Sequence, residues 1–303
     1  MLPALQSHDP FDSAPARGWL PWGALAPFLA LAFVIASQFA GLPLIEPLVR
    51  MDPHGNPLDA YSLFAYTLVP FGLLAAIVLL WVRFVERRPF ATIGLRGADS
   101  KTFGLGHAVG MLSVVGIVAV LWLARGLHAT GAATAWSSPA SLPAIGLLLL
   151  GFGLQSSVEE LLFRGWLFSV LVRKFNVSTG VVVSSALFAL LHFTRGEPWL
   201  VNICDFAFGV FACALALRYR SILGVMGWHA GWNWLLAVGF GLPLTGLDVG
   251  IPALLVDLKA GGPAWLTGGA EGPEGSVVCL AYCGLATAWL LFWPKRTAPA
   301  ATC

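Results

Sequence analysis

Apolar residues are gathered into long stretches without charged side chains. Seven of these stretches hold 20 residues or more, and an eighth is interrupted only by Asp205. In chain order they cover residues 19–45, 60–82, 102–124, 126–158, 175–194, 200–217, 221–247 and 275–294. A membrane-crossing helix needs about 20 mostly apolar residues, because lipid offers its backbone no hydrogen-bond partner. The pattern predicts an all-α fold, a polytopic membrane bundle of about eight transmembrane helices.

The composition excludes a water-soluble globular protein. Hydrophobic residues make up 58% of the chain and charged residues only 11%, whereas a soluble surface needs about a quarter of its residues charged. We therefore expect membrane lipid to cover much of the surface. The net charge of +2 and the lack of a basic cluster argue against a nucleic-acid partner.

The basic residues between the stretches predict the orientation in the membrane. Alternate connections carry 13 Lys and Arg against 4, and cytoplasmic loops are the basic ones. This asymmetry predicts eight crossings with both termini cytoplasmic and an acidic loop, 242–276, on the other side. We expect a polar cytoplasmic lead at 1–18, one transmembrane domain at 19–294 with a motif-bearing core at 142–240, and a cytoplasmic tail at 295–303.

Two adjacent carboxylates, Glu159 and Glu160, interrupt apolar sequence, and ionisable groups at membrane depth mark candidate functional sites. Glu160 precedes Arg164 by four residues, the spacing of a helical ion pair, so we expect it to support structure. Glu159 has no such cation, and desolvation would make it a proton acceptor for water. The alternative places both carboxylates in the headgroup region without a function.

Two further polar motifs fall in later stretches. Phe188 precedes His192 by four residues, and His229 precedes Asn233 by four, which puts each pair on one helix face. His192 could instead be an interfacial residue, and His229 with Asn233 could simply join helices by hydrogen bonds. If the fourth helix runs unbroken from residue 142 to about 173, Glu159 lies near the bilayer midplane, within reach of both histidines.

The three motifs together resemble the CAAX protease and bacteriocin-processing family of intramembrane endopeptidases, also called the abortive-infection family. The family pattern is Glu-Glu-x-x-x-Arg, then Phe-x-x-x-His, then His-x-x-x-Asn, and the resemblance covers about residues 142–240. It implies hydrolysis of membrane-associated, prenylated or leader-type peptide substrates by a water that Glu159 and His192 activate. It further implies that His229 and Asn233 stabilise the oxyanion, while Glu160, Arg164 and Phe188 support the site.

The same polar residues allow two other functions, and they could also bind a metal. A proton-coupled transporter would use the same ionisable groups as a relay, but the chain shows no inverted repeat. A non-catalytic membrane scaffold would use them to lock helices together. Glu159, His192 and His229 are the ligand types of a catalytic zinc site. We favour a metal-free site, because zinc would take Glu159 as a ligand and leave no base, whereas Asn233 suits a neutral donor better than a ligand.

Overall fold

The computed structural model describes residues 9–52, 56–97, 99–137, 141–193, 198–248 and 250–293. The predicted tail and residues 1–8 of the predicted lead lie outside them. The eight main helices of this part are α1 Ala26–Ile45, α2 Ala60–Leu80, α3 Ser100–Leu123, α4 Leu142–Glu160, α5 Val177–His192, α6 Trp199–Tyr219, α7 Leu223–Trp234 and α8 Val277–Phe292. The all-α membrane bundle is confirmed.

Several helices extend beyond these bounds or are joined by short turns. π-Helical turns continue α2 over Trp81–Val85, α4 over Leu161–Leu167 and α7 over Leu235–Gly239. An α-helical segment, Phe168–Lys174, then completes α4. The short helices between the main ones are Glu46–Leu48, Phe90–Ile93, Thr134–Ser137, Ala264–Thr267, Gly269–Glu271 and Pro273–Gly275.

Five helices are long and apolar enough to cross a membrane: Ala26–Leu48, Ala60–Val85, Ser100–Leu123, Leu142–Lys174 and Trp199–Tyr219. The long fourth helix predicted from sequence is present, with 33 residues. Helices α5 and α8 are shorter, with 16 residues each, and α7 is surrounded by the others. Helix length, more than apolar character, separates the two groups.

One apolar stretch does not form the helix that its composition suggests. Residues 126–158 lack charge, yet the helix begins only at Leu142. Before it, strand β1, Leu127–Ala132, pairs antiparallel with β2, Val256–Ala260. The two strands join the α3–α4 and α7–α8 connections, so both connections lie at one end of the bundle.

Helices α3 and α7 meet along a seam of glycines. A Cβ atom at Gly110 would lie 2.0 Å from the Trp228 carbonyl oxygen, and one at Gly227 would lie 2.0 Å from that of Phe103. On the same seam, a Cβ at Gly231 would lie 2.1 Å from the His107 oxygen. Small residues let membrane helices pack backbone to backbone. The seam therefore fixes α7, which carries two of the predicted site residues.

The N-terminal lead is packed against the opposite end of the bundle. The Phe11 side chain is fully buried and contacts the Phe168 ring edge-on, with centroids 6.3 Å apart. Arg173 pairs with Asp9 at 2.9 Å, and Arg96 donates to the Phe11 carbonyl oxygen at 2.9 Å. The described part of the lead is thus part of the folded domain rather than a separate polar segment.

Candidate active site

A cavity of about 280 Å³ lies between α2, α4, α5, α6 and α7. Its lining includes all four residues predicted to be catalytic, Glu159, His192, His229 and Asn233, together with Phe188. These residues come from three separate helices that the apolar stretches predicted. The tertiary fold therefore brings the three sequence motifs together around one space.

The predicted ion pair lies directly behind this cavity. Arg164 Nη1 is 3.2 Å from Glu160 Oε1, and both side chains are fully buried. The same carboxylate oxygen is 2.8 Å from His229 Nδ1. An ionised Glu160 can only accept, so Nδ1 of His229 carries the hydrogen and Nε2 faces the other way. Glu160 thus orients His229 as well as holding Arg164.

Glu159 has a different environment from its neighbour. Its Oε1 accepts a hydrogen bond from Gln155 Nε2 at 2.6 Å. Its Oε2 is buried and has no hydrogen-bond partner among the described residues, and it lies 3.9 Å from His229 Nε2. A buried oxygen of this kind needs a partner, and a molecule in the cavity can supply one.

His192 and Phe188 form the α5 side of the cavity. His192 Nδ1 lies 2.8 Å from the Phe188 carbonyl oxygen, so the backbone holds its N–H and leaves Nε2 available. Within the described part of the chain, no hydrogen bond joins His192 directly to Glu159. The Phe188 ring lies under the Arg164 guanidinium at 4.3 Å and stacks on Phe208 at 5.5 Å, which separates the buried cation from the cavity.

Residues 140–235 match the family model described as Type II CAAX prenyl endopeptidase Rce1-like. This match supports the CAAX protease family, which the three motifs resemble. The matched segment is less than half of the chain, but it holds all three motifs, from Glu159 to Asn233. No curated protein matches the chain. The family resemblance drawn from the motifs is confirmed.

Gln155 is a residue of this cavity that the motifs did not predict. Asn233 Nδ2 donates to Gln155 Oε1 and to Ser156 Oγ, both at 3.1 Å, and Gln155 in turn donates to Glu159. Both donors of Asn233 are therefore engaged, whereas its Oδ1 is buried without a partner among the described residues. The sequence signal was available, since Gln155 is a polar residue four positions before Glu159.

Residues of the long loop that follows α7 also line the cavity. Glu274 lines it and accepts hydrogen bonds from Trp232 Nε1 at 2.8 Å and from the Thr245 backbone N–H at 2.9 Å. Burial raises the pKa of the Glu274 carboxyl. The sequence predicted only that this acidic loop lies on the non-cytoplasmic side and assigned Glu274 no role. Glu274 instead packs against the site and ties the loop to α7.

The donor set can be tested against the zinc alternative. The described residues contain no group of three or more His, Cys, Asp or Glu side chains that could hold a metal ion. Glu159, His192 and His229 line one cavity but do not form such a group. As arranged here they do not fit a zinc centre, and the mechanism below uses no metal. The four cysteines of the described part are buried and form no disulfide bond with one another.

Proposed function

We propose that this CAAX-type intramembrane endopeptidase hydrolyses a peptide bond with a water held by Glu159 and His192. The observation that carries the proposal is Glu159 Oε2, which is buried, has no hydrogen-bond partner among the described residues and lies in a cavity shared with both histidines. A buried carboxylate oxygen beside a cavity can accept a hydrogen bond from a water there and act as its general base. Prenylated C-terminal tails and leader-type peptides are the substrates that the family implies.

In the proposed reaction, Glu159 Oε2 takes one proton from the water as its oxygen attacks the scissile carbonyl carbon. The carbonyl oxygen becomes an oxyanion. Collapse of the tetrahedral intermediate breaks the C–N bond, and Glu159 returns the proton to the leaving amine. His192 Nε2 accepts a hydrogen bond from the second O–H of the water and so orients the lone pair of the water oxygen towards the carbonyl carbon.

Stabilising the oxyanion falls to His229. With Nδ1–H directed at Glu160, only a protonated His229 presents an Nε2–H donor to the cavity. Glu160, 2.8 Å away, stabilises that positive charge, and it is itself neutralised by Arg164. Asn233 has both amide hydrogens engaged by Gln155 and Ser156, so it offers the oxyanion no donor.

The test is a cleavage assay with purified protein in detergent and a panel of prenylated and leader peptides, read by mass spectrometry. Glu159→Gln should lower cleavage by about 10²–10⁴-fold while the variant stays folded and inserted. Ser157→Ala is a matched control, since Ser157 donates only to the Gly153 carbonyl of its own helix. Wild-type activity of Glu159→Gln on a verified substrate would end the catalytic assignment.

We propose further that both termini face the cytoplasm. The 13-to-4 asymmetry of basic residues supports this orientation, as does the contact of the lead with arginines of the basic connections. Cysteine labelling on intact and opened cells tests it. Lys101→Cys should react only from the cytoplasmic side and Lys259→Cys only from the other, and the reverse result would overturn the orientation.

We also propose that the resting enzyme holds no stoichiometric catalytic metal. The arrangement of the donor side chains supports this, because each of the cavity residues has a role without zinc. Elemental analysis of purified, active protein should find far less than one metal ion per chain. One zinc per chain, with activity lost on chelation and restored by added zinc, would contradict the proposal.

A further inference from the structure

The amide of Gln155 bridges two helices inside the cavity. Its Nε2 donates to Glu159 Oε1 on α4 at 2.6 Å, and its Oε1 accepts from Asn233 Nδ2 on α7 at 3.1 Å. No other described side chain hydrogen-bonds both Glu159 and Asn233. Gln155 also lines the cavity itself, although it belongs to none of the three motifs.

Chemistry fixes the direction of this chain of hydrogen bonds. An ionised carboxylate has no hydrogen to donate, so the group that Gln155 turns towards Glu159 must be its NH₂. The Gln155 oxygen then faces Asn233 and must receive an N–H. Asn233 therefore donates both hydrogens of its NH₂, to Gln155 and Ser156, and its carbonyl Oδ1 has no partner among the described residues.

Two buried acceptors remain at the end of this network. Glu159 Oε2 and Asn233 Oδ1 have no hydrogen-bond partner among the described residues, and both residues line the cavity. Buried acceptors without partners destabilise a folded protein. A water in the cavity can donate a hydrogen bond to either oxygen, so the network prepares the site for a bound water.

We propose that Gln155 is a positioning residue of the peptidase, which orients Glu159 and Asn233 so that each presents an oxygen to the attacking water. This inference rests on the proposed function, because it takes Glu159 as the base. Gln155 touches no reacting atom and acts only through its two partners. In this arrangement Asn233 acts as a hydrogen-bond acceptor, in place of the oxyanion donor that the family resemblance implied.

Gln155→Met tests the proposal, because methionine keeps the length of the side chain but lacks both hydrogen-bonding groups. We expect kcat to fall about 10–100-fold with KM changed less than about 2-fold, since ground-state binding is untouched. Gln155→Asn is the second variant, which stays polar but is too short to reach both partners. It should show the same loss of kcat with a melting temperature near that of the wild type.

A double-substitution cycle separates positioning from general packing. If Gln155 acts through Asn233, then Asn233→Ala should cost much less kcat in the Gln155→Met background than in the wild type. Ser157→Ala is the control on the same helix and should leave kcat and KM unchanged. Additive losses, or kcat within 2-fold of wild type in both Gln155 variants, would overturn the proposal.

The outcome for Gln155 can be told apart from that for the function. An inactive Glu159→Gln together with a fully active Gln155→Asn would refute positioning and leave the peptidase mechanism standing. An active Glu159→Gln would refute the mechanism, whatever the Gln155 variants do. Loss of kcat in parallel with a rise in KM and a fall in melting temperature would identify Gln155 as a packing residue and overturn the inference.

Discussion

Glu86 and Glu159 are both buried carboxylates, but their surroundings are opposite. Glu86 Oε1 accepts hydrogen bonds from Trp166 Nε1 at 2.7 Å and Trp81 Nε1 at 3.1 Å, and its Oε2 pairs with Arg88. Arg88 also donates to Ser169 Oγ at 3.0 Å. Among the described residues, Glu159 has a hydrogen bond from Gln155 to one oxygen and no partner for the other, and it lines a cavity.

Hydrogen-bond satisfaction distinguishes the structural carboxylate from the one available for chemistry. Every oxygen of Glu86 is satisfied within the protein, so the group has no capacity left for a substrate. Glu159 has one buried oxygen without a partner among the described residues, and this unsatisfied oxygen lowers stability. We therefore assign stability to the Glu86 cluster and chemistry to the Glu159 cavity, and three substitutions test this assignment.

The largest expected effect is that of Glu86→Ala on stability. Removing the carboxylate leaves Arg88 as a buried, unpaired charge, and breaking a buried pair costs about 3–5 kcal/mol. The melting temperature in detergent should fall strongly, while kcat per folded molecule stays near the wild-type value. Glu46→Ala, at an exposed carboxylate, is the control and should change neither. A stable but inactive Glu86→Ala would reverse the assignment.

A smaller effect is expected from Gly227→Ala on the α3–α7 seam. The new Cβ would meet the Phe103 carbonyl oxygen at 2.0 Å, and overpacking of this kind costs about 1–3 kcal/mol. Because His229 lies two residues away, activity should fall together with stability. Gly104→Ala places its Cβ in open space on the same helix pair and should be tolerated. Equal behaviour of the two variants would show that the seam is loose.

The smallest effect concerns Glu274 and pH. Burial raises its pKa in the folded protein above the ordinary value of 4.5, so its contribution to stability is fully present below that value and declines as the pH rises through the raised one. The melting temperature of the wild type relative to Glu274→Gln should therefore decrease by about 1 °C between pH 4 and 7. A difference that grows with pH would contradict this.

Much of the fold and the site could be predicted from local pattern. Apolar length predicted the main helices, and the spacing of Glu160 and Arg164 predicted an ion pair that the structure contains. Three polar motifs in apolar sequence predicted residues that share one cavity. These features depend on helical periodicity and on the cost of burying charge, and both can be read within a few residues of sequence.

What could not be predicted depends on distant partners. Strand β1 is apolar enough for a membrane helix, and only its pairing with β2, more than a hundred residues later, makes it a strand. Glu274 was predicted only as part of an acidic loop, and its hydrogen bonds with Trp232 and Thr245 depend on how the chain folds back on α7. Gln155 carries no charge, so a search for ionisable residues passes over it, although its amide connects two of the motifs.

The glycine seam bears on how this protein can be divided. The matched family segment, 140–235, contains α7 but not α3, whose backbone lies directly against Gly227 and Gly231. A fragment cut to the family boundaries would lose the only described surface that fits those glycines so closely. Anyone designing a minimal enzyme or a chimaera should therefore carry α3 along with the motif-bearing helices as one inseparable unit.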